Sequence, residues 1–159
     1  KISRWWKKHV PGFENSYLVS MSSFAGLRDS RRIVGKHVIS GEELMSGICY
    51  EDSIAASSYP IDVHHNDGRR DNTLIRPASG VYYIPYRSLV TNEIENLIVV
   101  GRCISADYMA HAAIRVTITC MRMGEAAGIA AEIGIKSNTP ANSIDVSKIS
   151  EILGIHTSK

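Results

Sequence analysis

The side chains best equipped for chemistry gather where Asp62, His64, His65 and Asp67 follow one another closely. Carboxylates and imidazoles together can hold a metal ion, but adjacent histidines on an extended chain point to opposite faces. Only one of the two histidines can therefore join Asp62 at a common site, and no metal centre is expected. A second concentration is Gly26-Leu-Arg-Asp-Ser-Arg-Arg32, with three arginines in five residues. The guanidinium fork matches the two oxygens of a carboxylate ligand. The plainer account pairs Arg28 and Arg31 with Asp29, Glu42 or Glu43 at the surface and leaves His64 as a loop histidine.

A third unit is the run Ile98-Val-Val-Gly-Arg-Cys-Ile-Ser105, followed by an alanine-rich stretch. A buried strand that ends in glycine and delivers the chain to a helix presents free backbone N–H groups and a positive dipole end, which suits an anionic cofactor. Cys49, Cys103 and Cys120 share neither a C-x-x-C nor a zinc-knuckle spacing, so they read as reduced, mostly buried thiols.

The elements that must position these groups follow from pattern. Residues 1–10, with Ile2, Trp5, Trp6 and His9 on one face, predict the interior of a helix that ends at Pro11-Gly12. Ser16–Ser22 and Arg32–Ile39 have strand composition and are candidates to pair. Ser40, Glu43 and Gly47 predict a short capped helix. Residues 59–78 are rich in Pro, Asp, His, Asn, Gly and Arg, which predicts a long loop. Val81–Ile84 predicts a strand, and the apolar run Asn96–Gly101 predicts the centre of a sheet. From Ala112 to Ile135 small and apolar residues dominate, predicting a helix buried around most of its girth, with Gly124 and Gly128 implying either close approach by backbone or a flat ligand, or simple tight helix packing. A last helix starts at Asp145 and stops at Gly154.

The chain has 159 residues, 44% hydrophobic and 21% charged, with 18 Lys and Arg against 16 Asp and Glu. That balance fits one folded unit and is too even to suggest a nucleic-acid or anionic-membrane partner. No apolar run approaches the roughly 20 residues of a membrane-spanning helix.

The runs Gly26–Gly35, Tyr59-Pro-Ile-Asp-Val-His64, Ile84-Pro-Tyr-Arg-Ser-Leu89, Asn96–Ser105 and Ile114–Gly128 resemble, in order, successive blocks of the FAD-dependent oxidoreductase family. These are bacterial flavoproteins related to the fumarate-reductase and glutathione-reductase type fold. The resemblance covers nearly the whole chain. It implies an α/β arrangement, α+β within these residues: part of an FAD/NAD(P)-binding-type domain with a β-rich substrate-side region at 16–88. A cofactor-facing strand, loop and helix would occupy 89–135, and a terminal helix and tail 136–159, with residues 1–15 ending a helix from upstream.

The resemblance further implies the C-terminal portion of a larger flavoenzyme, since the sequence contains no G-x-G-x-x-G fingerprint for the ADP half of FAD. The upstream half would be its partner, and open edges would favour self-association. Gly101, Arg102 and Ser105 are expected at the pyrophosphate and ribityl region, and Ala113, Ile114, Arg115 and Val116 near the isoalloxazine, where reduced flavin carries negative charge. His64 is expected to accept the proton lost as hydride leaves a small organic substrate. Arg28, Arg31 and Arg87 would clamp a carboxylate, with Tyr86 as a hydroxyl donor. The competing expectations are a non-catalytic binding or structural module and a homologue that keeps the fold without activity.

Overall fold

A computed structural model describes residues 1–64 and 73–155. Helix α1 (Ile2–His9) lies wholly at the surface, with the Trp5 and His9 rings stacked. No strand forms at residues 16–22, where Tyr17, Leu18, Val19 and Met21 are all exposed. The expected pairing with Arg32–Ile39 is therefore absent, and that second segment contributes one parallel bridge, Ile39 to Ala106. Strand composition alone gave these residues no partner.

Helix α2 (Gly41–Ser46) forms as its local signals require. Ser40 and Glu43 make a reciprocal capping box, and Gly47 ends the helix in the left-handed region. Strands β1 (Ser53–Ser57) and β4 (Tyr82–Pro85) pair antiparallel. Between them, β2 (Ile61–Val63) and β3 (Thr73–Ile75) form a second antiparallel pair. The expected loop at 59–78 is thus a hairpin at its two flanks, because alternation places Ile61 and Val63 in the core despite the polar composition. His65 and Asp67 lie outside the described residues.

The run Asn96–Gly101 is half-buried and makes only the bridge Val90 to Ile98, so no central strand stands there among the described residues. The architecture is α+β, with helices against two small antiparallel sheets. After a 3-10 turn at Gly101–Cys103 come α3 (Tyr108–Ile114) and α4 (Thr117–Ser137), broken at Arg115 and Val116 where one continuous helix was expected. Val116 takes an extended conformation, with ψ of 152°. Asp107 caps α3 through the Ala110 N–H at 2.7 Å and also accepts from the Gly41 N–H at 3.0 Å, joining the starts of α2 and α3.

Helix α4 buries Thr119, Met123, Ala126 and Ala130, a single stripe at helical spacing. Its remaining small residues tolerate water, and a Cβ at Gly124 or Gly128 would meet nothing within 4 Å. No backbone or side chain among the described residues packs closely against those glycines. Helix α5 (Val146–Ile152) is capped by Asp145 as expected. The core joins Ile39, Leu44, Ile54, Ile61, Tyr82, Ile84, Leu89, Ile104, Ile114 and Met123. Cys103 is exposed, and Cys49 and Cys120 are half-buried, against the expectation of buried thiols. No helix among the described residues is long and apolar enough to cross a membrane.

Candidate functional site

Strand β2 sets the first side of the site. With Ile61 and Val63 turned into the core, Asp62 and His64 share the opposite face, and His64 Nε2 lies 3.2 Å from Asp62 Oδ2. Asp62 Oδ1 is buried and finds no hydrogen-bond partner among the described residues. Arg115, at the break between α3 and α4, donates from Nη2 to the Asp62 carbonyl at 2.9 Å and from Nε to the Ala112 carbonyl at 3.4 Å. The Tyr108 hydroxyl donates to the His64 carbonyl at 3.0 Å. Helix α3 and its trailing arginine thus hold the strand that carries the imidazole.

These residues, with Arg28, Asp29 and His111, enclose a cleft of about 270 Å³. A second cleft of about 520 Å³ shares Arg28, Asp62, Ala112 and Arg115 with the first, and extends over Tyr59, Arg102, Val116, Thr117 and Cys120. The first turn of α4 opens onto it without a side-chain cap. The N-terminal end of α4 and three guanidinium groups, those of Arg28, Arg102 and Arg115, therefore face one space. Burial pushes the Cys120 thiol up, while the charge of Arg102 works in the opposite direction.

The sequence-derived candidates are divided by the fold. His64 and Arg28 meet at the small cleft; Arg102, Arg115 and Val116 line the larger one. Gly101 opens the 3-10 turn at φ of 76°, a left-handed conformation suited to glycine, and a Cβ there would meet nothing within 4 Å. Ala113 and Ile114 are fully buried in the core. Ser105 is also fully buried, its hydroxyl without a partner among the described residues, and lines neither cleft. Arg31 is exposed and away from both clefts. Arg87 lies 3.4 Å from Asp52 and 5.2 Å over the Tyr50 ring, and Tyr86 donates to the Ala141 carbonyl at 2.9 Å, with burial raising its hydroxyl to about 12. The three-arginine clamp is therefore not assembled; Arg115 stands beside Arg28 instead.

Among the described residues Arg28 and Arg31 make no ion pair with Asp29, Glu42 or Glu43 either. Asp29 faces His111, and Glu43 is committed to the α2 cap and to His37 at 3.0 Å. Among the described residues no cluster suited to a metal ion forms.

His111 escaped the sequence reading. It is buried on α3, with Nε2 3.0 Å from the Arg102 carbonyl and Nδ1 3.5 Å from Asp29 Oδ2. Burial pushes its imidazole below the ordinary value, while the Asp29 carboxylate and the Arg102 carbonyl work against that shift. The available signal was a titratable residue among Ala110, Ala112 and Ala113, one turn after the capping aspartate.

A family model for FAD-dependent oxidoreductases matches residues 1–153. The chain belongs to this family. FAD is the cofactor of FAD-dependent oxidoreductases, and the larger cleft fits such a group in its chemistry: Arg102, Arg115 and the open start of α4 supply the cations and N–H donors that an electron-rich ring or a phosphate requires. Comparison with curated proteins and with solved structures gave no match.

Proposed function

We propose that this chain forms the substrate side and one wall of the cofactor site in a flavin-dependent oxidoreductase that acts on a small organic molecule. The observation that carries the reading is the shared boundary of the two clefts. His64 borders only the smaller one, while Asp62, Arg115 and Arg28 border both. Proton handling and cofactor contact thereby stand side by side, as transfer of a hydride with loss of a proton requires.

In this reading FAD, held along the larger cleft, would supply the hydride acceptor. The chain's own residues do the rest. His64 takes the proton of a substrate O–H or N–H at Nδ1, because Nε2 faces the Asp62 carboxylate at 3.2 Å, and that carboxylate stabilises the imidazolium that results. Arg28, with no ion-pair partner among the described residues, orients an anionic substrate group. Arg102, Arg115 and Thr117 would hold the cofactor at the start of α4, and Tyr108 keeps the β2 strand in place.

The reading includes a second half-site. The sequence holds no G-x-G-x-x-G, so the ADP half of FAD would be bound by a strand, turn and helix outside these residues. The exposed apolar side chains of Tyr17, Leu18, Val19, Met21 and Phe24 support a covering surface there, supplied by that half or by self-association.

The test is anaerobic mixing of the flavin-loaded protein with panels of small alcohols, amines and hydroxy acids, following the flavin absorbance. Substrate-dependent bleaching that disappears in His64→Ala supports the assignment. A flavin that binds but is bleached by no panel member, and reacts only with a chemical reductant, counts against an oxidoreductase acting on these substrates.

A further inference from the structure

His111 stands in an unusual setting, because both ring nitrogens face oxygen acceptors. Nε2 is 3.0 Å from the Arg102 carbonyl, and Nδ1 is 3.5 Å from the Asp29 carboxylate. Neutral imidazole carries one proton, so either tautomer directs a bare lone pair at an oxygen. Only the imidazolium satisfies both. The shorter contact is to a main-chain carbonyl, and the longer one to a half-exposed side chain in a segment without regular structure. When the ring is neutral, its proton belongs on Nε2, and Asp29 is the partner released.

We propose that His111 is a positioning residue whose charge decides whether the Arg28–Asp29 segment is docked on the small cleft. Docking matters because Arg28, next to Asp29 in sequence, borders both clefts. With His111 protonated, Asp29 is held and Arg28 is presented to the cleft; with His111 neutral, the segment is free to leave. The Nε2 contact persists in both states and fixes the Gly101–Cys103 turn that carries Arg102.

The groups that set the charge are all at hand. Asp29 and Arg32 come from the segment before α2, Arg115 from the break after α3, and Asp62 and His64 from β2 across the cleft. Asp29 favours the imidazolium, while Arg32 and Arg115 oppose it. Release of Asp29 leaves the ring packed on α3 and the Gly101–Cys103 turn, so its main effect is loss of the attraction that holds the proton. Acid therefore favours the docked segment by linkage.

The experiment uses the flavin-loaded protein with isotope-labelled histidine, alongside Asp29→Asn. Imidazole nitrogen resonances report the tautomer and the titration midpoint of His111. The expected result is a neutral form protonated at Nε2, and a midpoint that moves to lower pH in Asp29→Asn. Limited trypsin cleavage after Arg28 and Arg31 reports opening of the segment. Cleavage should be about tenfold faster in Asp29→Asn than in the parent below the parent's midpoint, and the two should converge above it.

A midpoint unmoved by Asp29→Asn overturns the pairing, and equal cleavage at every pH overturns the docking. Asp29 is at the surface, so this variant keeps the fold. Where His111→Gln folds, it should match Asp29→Asn in cleavage, and faster cleavage in neither variant also sinks the proposal. The readouts are titration and proteolysis. They can fail while the redox reading stands, and can succeed if that reading fails.

Discussion

Arg115 Nη2 donates to the main-chain carbonyl of Asp62 at 2.9 Å, so the cation that borders the larger cleft also anchors the strand bearing the imidazole. Glu125 plays no part in holding this arginine, since it pairs with Arg122 at 2.7 Å. Replacing Arg115 by Gln removes a positive charge from the cleft proposed to hold the cofactor. The anionic reduced flavin loses more stabilisation than the oxidised form, and the reduction potential should fall. Spectroelectrochemical titration of Arg115→Gln and Arg115→Lys checks this, with Lys keeping most of the parent potential. Equal potentials in parent and Gln variant would remove Arg115 from the cofactor's surroundings.

His64 makes a separate prediction. In the flavin-loaded protein, His64→Ala should slow flavin reduction by substrate by roughly 10² to 10⁴ fold, with flavin content unchanged. Asp62→Asn keeps the shape of the pair and removes its charge, so it should slow the same step to a smaller degree. Stopped-flow rates decide, and a His64→Ala rate equal to the parent's refutes the proton-acceptor role.

Acid sensitivity follows from His111. Burial holds its folded-state pKa below the ordinary 6.5, so the unfolded chain binds this proton more readily than the folded one. The contribution to stability is complete above the unfolded value and is lost as pH falls through the folded one. Denaturant midpoints measured at about pH 7.5 and about pH 5.5 should therefore fall further for the parent than for His111→Gln, whose side chain does not titrate. Identical pH dependence in the two proteins would show that the proton does not distinguish folded from unfolded His111.

Gly35 offers a packing test far from the titrating groups. A Cβ built there would stand 2.9 Å from Ser105 Cβ and 3.1 Å from the carbonyl oxygens of Arg87 and Ser88. Two of these three neighbours are backbone and yield little, so Gly35→Ala should cost about 1–3 kcal/mol. Chemical denaturation measures it, and a neutral result would mean that the turn at Tyr86–Ser88 moves aside.

What could be read in advance was local. The α2 box of Ser40 and Glu43, the left-handed Gly47 and the Asp145 cap are decided within a few residues, and all appear as expected. Elements that depend on distant partners were hidden. The hairpin of β2 and β3 joins short runs on either side of residues 65–72, and the strand-like residues 16–22 find no neighbour. The break at Arg115 and Val116 carries no proline or glycine to announce it. At the site, the two-residue spacing of Asp62 and His64 was informative because a strand turns both to one face. Arg115 was anticipated beside the cofactor, but its bond to Asp62, 53 residues away in sequence, needed the folded chain. Tyr86 and Arg87 misled because polar residues near a strand end also serve to satisfy backbone and carboxylate groups.

The break between α3 and α4 gives the molecule a division of labour that selection can exploit. His111 and Tyr108 on α3 border only the smaller cleft, whereas Thr117 and Cys120 on α4 border only the larger of these two. Substitutions on the first helix can reshape what is recognised while the second keeps its lining, and the reverse also holds. Arg115, fixed at the joint, borders both clefts, as do Arg28, Asp62 and Ala112, and at such positions the two histories cannot separate. A lineage exploring new substrates would be expected to vary Tyr108 long before it varied Arg115.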